Sequence, residues 1–365
     1  MSESFAVIAG GGTAGHLYPG LAIAEALVCL GKRRTEIHFF TSDRDIDNKL
    51  LTAANFQFSP LKGNGLDRRN ILSSIRALTL LIKSTVFAYQ YVRKSKPKVI
   101  LSLGGFAAIP GSLAGLLTGT PVVLHEQNSV PGSANKLISK WVKKSAVSYK
   151  NTELPHSVYT GNPVRKEIAD LSKSYRSMHR SQLGIPADNK LVVVTGGSLG
   201  SSKINKSILN ALPNLEEIPK LTVYHIIGSR DWEELGQLNL EQKIDYRAIE
   251  YEEQMPMVLN SADLIISRAG GSIIAEINLL GLPSILIPLP NAPGDHQRRN
   301  AESLVMDGKA VIVSDENCTG ERIAEEIKSI VLNEERLMGM TKIRHSKSEK
   351  NAAEKIASLL VEVAK

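Results

Sequence analysis

The same local pattern occurs twice in this chain: a short apolar run, a glycine-rich turn, and then a stretch with helical spacing of apolar residues. In the first copy, the run 5–10 leads into the glycines of 10–15 and a helical pattern that stops at Gly31. In the second copy, the run 191–195 leads into the turn 196–200. A strand, a tight turn and a helix in this order are typical of parallel α/β folds. The repetition therefore predicts two similar α/β halves.

The length of 365 residues fits two domains of ordinary size. Gly161 and Pro163 interrupt the periodicity between the halves, which indicates a boundary there. We predict a first domain over 1–163 and a second over 164–345, with a terminal helix over 346–365 packing back on the first. Further buried strands are predicted at 36–41, 98–105, 121–127, 221–228, 262–271 and 283–290.

The composition excludes several classes of protein. The hydrophobic fraction of 42% and charged fraction of 22% are those of a globular chain. Cys29 and Cys318 are far apart in sequence, which argues against a disulfide framework or a thiolate metal site and favours a reducing compartment. Arg76 and Lys83 interrupt the longest apolar stretch, and no secretory signal is recognisable, so we expect a protein that stays inside the cell without spanning a membrane.

The formal charge of +7 predicts an anionic partner: nucleic acid, phospholipid headgroups or a phosphorylated substrate. Nucleic acid is disfavoured because aromatic residues make up only 5% of the chain and no zinc-ligand spacing occurs. The segment 66–98 mixes apolar residues with eight basic residues and a single acid, Asp67. We interpret it as a surface that faces an anionic membrane; the alternative is an amphipathic core helix with a solvated basic face.

The first glycine turn satisfies G-x-G-x-x-G, which alone is compatible with dinucleotide binding or with a plain tight turn. His16 follows the turn immediately and places an ionisable ring where a pyrophosphate would otherwise crowd. Together with the second glycine turn, this argues against a dehydrogenase and favours a transferase with two substrates.

Seven motifs, which include both glycine turns, carry a resemblance that covers nearly the whole chain. They lie at 10–27, 102–115, 124–136, 161–165, 196–205, 267–277 and 294–301, from GGGTAGHLYPGLAIAEAL to GDHQRRNA. In these motifs the chain resembles the MurG family, the bacterial N-acetylglucosaminyltransferases of peptidoglycan synthesis. The resemblance implies the GT-B fold, an α/β architecture with two Rossmann-like parallel-sheet domains facing across a cleft.

The resemblance also implies an activity. The family moves N-acetylglucosamine from UDP-GlcNAc to the 4-hydroxyl of MurNAc in undecaprenyl-diphosphate-MurNAc-peptide (lipid I), with inversion, to give lipid II. The expected partners are UDP-GlcNAc, lipid I, an anionic membrane surface and other cell-wall synthesis proteins, with no nucleic acid and no cofactor. The expected location is peripheral, on the cytoplasmic face of the inner membrane. UDP-GlcNAc 2-epimerases share the fold and the nucleotide site but need no acceptor, so they are the rival interpretation.

By the same resemblance, the second domain binds the nucleotide sugar. Arg165 and Ser198 are expected at the phosphates, Glu276 at the ribose hydroxyls and Gln297 at the sugar. The segment departs from the family at Ile273, where a threonine is usual, at Gly271, where alanine is common, and at Glu252, a position that is often apolar. Backbone N–H groups of Gly271 and Ser272 can serve the diphosphate in place of a hydroxyl.

The first domain is expected to bind the acceptor, with Thr13, Ala14, Gly15 and Asn128 around the reacting sugar. His16 is our candidate for the general base, with Glu126 as the alternative carboxylate base and His125 as a competing histidine. No metal site is predicted. The alternating acids Asp43, Asp45 and Asp47 are interpreted as a solvated loop.

Overall fold

The computed structural model divides the chain into two compact units. The first comprises Met1–Arg165 with Ser346–Lys365, and the second comprises Lys166–His345. The structure describes residues 3–12, 14–63, 71–171, 173–197, 199–236, 238, 243–341 and 350–365, and for 14, 71–74 and 173 only the backbone. Thr13, Ser198 and the segments 66–70 and 346–349, which the sequence analysis singled out, lie outside the described residues.

The described part of the first unit contains a parallel sheet of seven strands. They are β1 (Ala6–Ala9), β2 (Ile37–Ser42), β3 (Gln57–Leu61), β4 (Val99–Ser102), β5 (Val122–Glu126), β6 (Lys144–Val147) and β7 (Ser157–Tyr159), in the order β3-β2-β1-β4-β5-β6-β7. Every residue of β1, β4 and β5 is buried, as expected for parallel strands covered by helices on both faces. Because β1 pairs with both β2 and β4, the first glycine turn lies beside the carboxyl ends of these two strands.

The helices of the first unit cover both faces of this sheet. They are α1 (Ala14–Cys29), α2 (Asp45–Ala53), α3 (Ile71–Ser95), α4 (Ala108–Thr118), α5 (Ser133–Ile138) and, from the carboxyl end of the chain, α14 (Ala352–Val363). Helix α14 packs against α1. Its Ile356 and Leu360 are fully buried in the same apolar cluster as Ile23 and Leu27 of α1. Each such buried side chain contributes about 1.5–3 kcal/mol, so the last helix is part of the core of the first unit.

The second unit repeats the architecture with a parallel sheet of six strands among its described residues. The strands are β8 (Lys190–Thr195), β9 (Leu221–Ile226), β10 (Asp245–Ile249), β11 (Leu264–Ser267), β12 (Ser284–Leu286) and β13 (Ala310–Ile312), in the order β10-β9-β8-β11-β12-β13. Val192 of β8 lies opposite both Val223 and Leu264, so the β-branched run predicted from the sequence forms the centre of the sheet.

The helices of the second unit are α6 (Lys166–Ala169), α7 (Arg176–Gln182), α8 (Ser202–Leu215), α9 (Met255–Ser261), α10 (Gly271–Leu280), α11 (His296–Met306), α12 (Gly320–Val331) and α13 (Glu334–Met340). Helices α8 and α12 pack against one another over the sheet. The prediction of two parallel-sheet α/β halves is confirmed. In both, a glycine turn joins a central strand to the helix that follows it.

Candidate active site

The first glycine turn is wedged between the ends of two strands. A Cβ at Gly10 would stand 2.6 Å from the Cβ of Leu103, just after β4. On the other side, a Cβ at Gly11 would stand 2.5 Å from Thr41 Oγ1 and 2.7 Å from Asp47 Oδ2. No side chain fits in either place, so the run of glycines lets the backbone pass through a gap too narrow for any other residue.

Asp47 holds this turn in place. Its Oδ2 accepts hydrogen bonds from the backbone N–H of Gly12 (2.8 Å) and from the hydroxyls of Thr41 (2.8 Å) and Ser42 (2.6 Å). The interpretation of the three alternating acids as a solvated loop is therefore wrong for Asp47, which is fully buried in α2. Asp43 and Asp45 are exposed. Helical spacing explains the difference, because Asp47 shares the inward face of α2 with Leu51.

His16 lies in the first turn of α1, beside the turn that follows β4. A Cβ at Gly104 would stand 3.5 Å from His16 Nε2, and one at Gly105 would stand 3.9 Å from Nδ1. Burial lowers the pKa of His16, and the charge of Asp47 raises it by a smaller amount. The ring is therefore neutral at neutral pH, which is the protonation state that a general base requires.

Glu126 ends β5 and is almost completely buried. Its Oε1 accepts hydrogen bonds from the backbone N–H (2.9 Å) and the side-chain Nδ2 (3.3 Å) of Asn128. Its Oε2 accepts from the backbone N–H of Gly132 (3.1 Å) and from Asn135 Nδ2 (2.7 Å). Both carboxylate oxygens therefore accept hydrogen bonds that fix the loop 127–132. This geometry favours a role for Glu126 in supporting Asn128 over a role as the base.

His125 is a strand residue with both faces covered. It is fully buried in β5, its Nε2 lies 3.3 Å from Ser148 Oγ, and burial lowers its pKa to about 3. A ring with no exposed surface is poorly placed to take a proton from a substrate. The burial of His125 therefore favours His16 as the candidate base.

Arg165 ends the first unit. Its guanidinium carbon lies 4.8 Å from the centroid of the Tyr18 ring in α1, a cation–π contact. The side chain is half-buried. The structure thus connects Arg165 to the helix that carries His16.

The second glycine turn follows β8, and its backbone is held at both ends. Thr195 Oγ1 accepts from the backbone N–H of Gly197 (3.1 Å) before the turn. After the turn, Ser202 opens α8 and donates its hydroxyl to Asp231 (2.7 Å). Helix α8 begins here with its N–H groups at the carboxyl edge of the sheet, a favourable place for an anion.

Helix α10 begins at Gly271 directly after β11, so Gly271 and Ser272 contribute N–H groups to the same edge. Glu276 lies one turn further along this helix and is only 4% exposed. A carboxylate so deeply placed is not a solvated surface group. Ile273, at the position where a threonine was expected, is half-buried beside it.

Gln297 in α11 bridges two loops at this edge. Its Oε1 accepts from the backbone N–H of Ala269 (3.2 Å), after β11, and from that of Leu289 (2.9 Å), after β12. The side-chain carbonyl oxygen of Gln297 is fully used as an acceptor by these two hydrogen bonds, so its NH₂ group is the part that can donate to a ligand.

Glu252 follows β10 and is engaged within the protein. Its two carboxylate oxygens accept from the hydroxyl of Tyr224 and from the backbone N–H of Gln254 (2.6 Å). The acid at this usually apolar position therefore stabilises its own turn.

Two family models match the chain: the glycosyltransferase family 28 N-terminal domain at residues 6–147 and the family 28 C-terminal domain at residues 191–356. A protein of Desulfitobacterium hafniense named "UDP-N-acetylglucosamine--N-acetylmuramyl-(pentapeptide) pyrophosphoryl-undecaprenol N-acetylglucosamine transferase" is 32% identical over 98% of this chain and 99% of its own length. The chain belongs to the MurG family of glycosyltransferases.

Solved structures agree with the membership. The crystal structure of Acinetobacter baumannii MurG matches with a TM-score of 0.73 at 26% identity, covering 99% of this chain and 100% of that one. A UDP-GlcNAc 2-epimerase from Neisseria meningitidis matches with a TM-score of 0.69 at 16% identity, over 98% and 99% of the two chains, and this likeness concerns the fold alone. The predicted GT-B fold class and the prediction of a glycosyltransferase are confirmed.

Asn135 is a further residue of the site in this MurG-family chain, and it was not among the site residues predicted from the sequence. This residue is 5% exposed in α5, donates to Glu126, and has a buried Oδ1 that accepts no hydrogen bond from the described residues. A Cβ at Gly104 would stand 3.3 Å from the Asn135 amide. Asn135 and His16 therefore flank the same glycine. The available signal was its helical spacing from buried Ile138, which puts an asparagine on an apolar face.

Arg268 was missed as well. Its Nη1 donates to Asp315 Oδ1 (2.6 Å) and to the carbonyls of Ile287 and Pro288 (both 3.2 Å), and its Nη2 donates to Ser201 Oγ (2.8 Å). One guanidinium thus joins the loops after β8, β11, β12 and β13. In this MurG-family protein Arg268 sets the shape of the carboxyl edge of the second sheet. An arginine directly after a buried strand was the sequence signal.

Within the part of the chain that the structure describes, no group of three or more metal-ligating side chains comes together, and no helix is both long enough and apolar enough to cross a bilayer.

Proposed function

We propose that this chain transfers N-acetylglucosamine from UDP-GlcNAc to the 4-hydroxyl of MurNAc in undecaprenyl-diphosphate-MurNAc-peptide, with inversion at the anomeric carbon. The observation that carries the proposal is the match to a transferase of that name over 98% of the chain. Both units of the fold fall within the match, so the acceptor half and the donor half of the reaction are each provided for.

We assign the acceptor to the domain 1–163 with the terminal helix, and UDP-GlcNAc to the domain 164–345. The first assignment is supported by the neutral, half-buried His16 beside Gly104, and by the loop at Asn128 that Glu126 shapes. We propose Thr13, Ala14 and Gly15 as further acceptor contacts, since they belong to the same turn.

On the donor side, a nucleoside diphosphate sugar presents a diphosphate, two vicinal ribose hydroxyls and a sugar. We propose that the diphosphate binds the helix starts at Ser198 and at Gly271 and Ser272, with Arg165 supplying positive charge. We propose that Glu276 accepts from the ribose hydroxyls and that the NH₂ of Gln297 donates to the sugar.

The chemical step then proceeds by general-base catalysis. His16 takes the proton of the 4-hydroxyl as its oxygen bonds to the anomeric carbon, while the bond from that carbon to the diphosphate breaks and UDP leaves with the electron pair. N–H groups at the helix starts stabilise the charge that develops on the leaving diphosphate. Glu126 remains the alternative base.

The test is incubation with radiolabelled UDP-GlcNAc and a short-chain lipid I analogue, with detection of the disaccharide product. His16→Gln should lower kcat by about 10²–10⁴-fold while leaving UDP binding unchanged. His156→Gln, a change at an exposed histidine of the same unit, is the matched control. Near-normal turnover by His16→Gln would refute the base assignment. Turnover of UDP-GlcNAc without acceptor would reveal an epimerase instead.

We further propose that the protein works as a peripheral protein on the cytoplasmic face of the plasma membrane, beside other cell-wall synthesis proteins. The support is helix α3, which has two apolar stripes. One stripe packs inward through Ala77, Ala88 and Val92. The opposite stripe is exposed: Ile75 (57%), Leu78 (52%) and Ile82 (56%). Packing against the core requires one apolar face, so it does not account for the second, exposed apolar stripe of α3.

Basic side chains accompany the exposed stripe. Arg76 and Lys83 lie next to members of this stripe in sequence, and Arg93 and Lys94 lie at the end of α3, all exposed. Each contributes about 1 kcal/mol near an anionic leaflet, and the apolar side chains can enter the interface.

Flotation with vesicles that contain an anionic phospholipid measures this attachment. The triple variant Ile75→Ser, Leu78→Ser, Ile82→Ser should lose most of the binding. The double variant Leu332→Ser, Met338→Ser, at exposed apolar positions of the second unit, should retain it. High salt should weaken binding by the wild type. Absence of wild-type binding at low salt would rule out this surface as a membrane contact.

A further inference from the structure

The carboxylate of Asp47 is a buried charge close to the proposed base. It is fully buried, and its Oδ2 receives three hydrogen bonds from described residues, namely Gly12, Thr41 and Ser42. Its Oδ1 accepts nothing from the described residues and is itself buried. No ion pair reaches Asp47 within the described ranges. A buried carboxylate without a cationic partner is costly, so its presence calls for a reason beyond folding.

Gly12 is held from two sides. Its N–H donates to Asp47, and its carbonyl oxygen accepts from Arg44 Nη1 at 2.6 Å. Arg44 directly precedes α2, so both groups come from the start of one helix. The backbone of the turn four residues before His16 is therefore fixed to α2.

Several titratable groups surround His16. Asp47 of α2 is the charge that acts on its ring, raising its pKa against the effect of burial. On the β5 side, burial lowers the pKa of His125 and His16 lowers it further, and Glu126 accepts a hydrogen bond from Asn135. Arg44 is occupied by Gly12. Among the described residues, Asp47 carries a charge that favours a proton on His16.

We propose that Asp47 is a positioning residue for the transfer reaction, which holds the glycine turn through Gly12 and supplies the negative charge that stabilises protonated His16. The inference rests on the proposed function of His16 as the base. When His16 takes the proton of the acceptor hydroxyl, a positive charge appears in a half-buried place, and the fixed carboxylate lowers the cost of that charge. Asp47 touches neither substrate nor the moving proton.

The experiment changes the charge of Asp47 and measures the pKa of His16. Asp47→Asn removes the charge at nearly constant size, Asp47→Ser is a second neutral variant, and Asp47→Glu retains the charge. Asp45→Asn is the matched control, because it makes the same chemical change at an exposed position of the same helix. NMR of histidine-labelled protein follows the ring titrations, and the signal absent from His16→Gln identifies His16.

Loss of the negative charge destabilises protonated His16, so its pKa falls. The neutral variants should lower the pKa of His16, and the acid limb of kcat/KM, by about half a unit to one unit. The plateau of kcat should fall too, because a weaker base accepts the proton less readily. Asp47→Glu and Asp45→Asn should keep the limb in place. A carboxylate that only supported the turn would lower kcat without moving the limb.

An unchanged His16 titration in a folded neutral variant overturns the inference. If neither neutral variant folds, the titration of the wild-type protein tests the inference. His16 should then titrate at a higher pH than His125. If His16 stays neutral down to the same pH as His125, the inference is also overturned. These titrations need no activity. If His16→Gln remains active while the shift is observed, the assignment of His16 as the base fails and the charge relation between Asp47 and His16 stands.

Discussion

Replacing Glu126 by glutamine separates its supporting role from the alternative role of base. Four donors point at its two oxygens: the N–H and Nδ2 of Asn128 on one, and Gly132 N–H and Asn135 Nδ2 on the other. Glutamine has one carbonyl oxygen and one NH₂ group, so two of these four donors lose their acceptor. We expect the glutamine oxygen to keep accepting from Asn128. The N–H of Gly132 and the Nδ2 of Asn135 would then face the glutamine NH₂ group, which is itself a donor.

The magnitude follows from that count. Each donor left unsatisfied costs about 1–3 kcal/mol, and Asn135 can turn its amide to relieve part of the cost, so the free energy of unfolding of the first unit should fall by about 2–4 kcal/mol. For a unit of this size, that corresponds to a drop in Tm of roughly 5–12 °C. The amide protons of Asn128 and Gly132 should exchange faster with solvent.

The assay combines thermal unfolding, amide hydrogen exchange and the pH profile of kcat/KM. If Glu126 supports the loop, the glutamine variant is less stable and turns over more slowly, but it keeps the acid limb that belongs to His16. Glu153→Gln, at an exposed acid of the same unit, should change none of these quantities. An unchanged Tm together with a loss of more than about 10³-fold in kcat and of the acid limb would falsify the supporting role and make Glu126 the base.

Three further outcomes follow from the structure. Gly104→Ala should lower kcat at least tenfold, because the new Cβ would stand 3.3 Å from the Asn135 amide and the backbone φ is +88°. Gly119→Ala is the control: its φ is +74° and its Cβ would point into open space, so thermal unfolding should show only the cost of the backbone conformation, about 1–2 kcal/mol. Arg268→Ala should raise the Kd for UDP at least tenfold in calorimetric titration, since the loops after β8, β12 and β13 lose their common donor, whereas exposed Arg322→Ala should leave it unchanged. Burial lowers the pKa of His125 and His225 to about 3 and that of His38 to about 4, so the unfolded state binds more protons below about pH 6.5; acidification from pH 7 to pH 5 should then cost about 2 kcal/mol per histidine. Calorimetry should therefore show the first unit, which holds two of the three, losing more stability than the second, and an equal loss in both units would contradict the assignment.

The sequence allowed the architecture to be predicted because its signals are local. The apolar run of β8 and the glycine turn after it identify a central strand without reference to any distant residue. The acid Asp47 shows where such reasoning ends. Most of the residues around it in sequence are polar or charged, and its burial depends on a turn 35 residues earlier in the chain, from which it accepts a hydrogen bond.

The candidate site shows the same limit. His16 could be predicted as a site residue because it adjoins a glycine turn. His125 and Glu126, by contrast, are neighbours in sequence whose side chains have different environments in the fold. Side chains alternate between the two faces of a strand, and β5 ends at Glu126, so the His125 ring is buried in the first unit whereas the Glu126 carboxylate reaches the loop that follows. Arg268 joins four loops that only the strand order brings together, and no spacing within the sequence reveals that order.

The terminal helix has a consequence for synthesis of the chain. Residues 166–345 form the second unit without interruption, so that unit is complete in sequence as soon as residue 345 has been made. The first unit, although its strands emerge first, lacks Ile356 and Leu360 from its core until α14 has left the ribosome. Domains usually fold in the order of their synthesis. Here the apolar face of α1 stays uncovered until α14 has been synthesised, so the unit whose strands emerge first is the last to complete its folding.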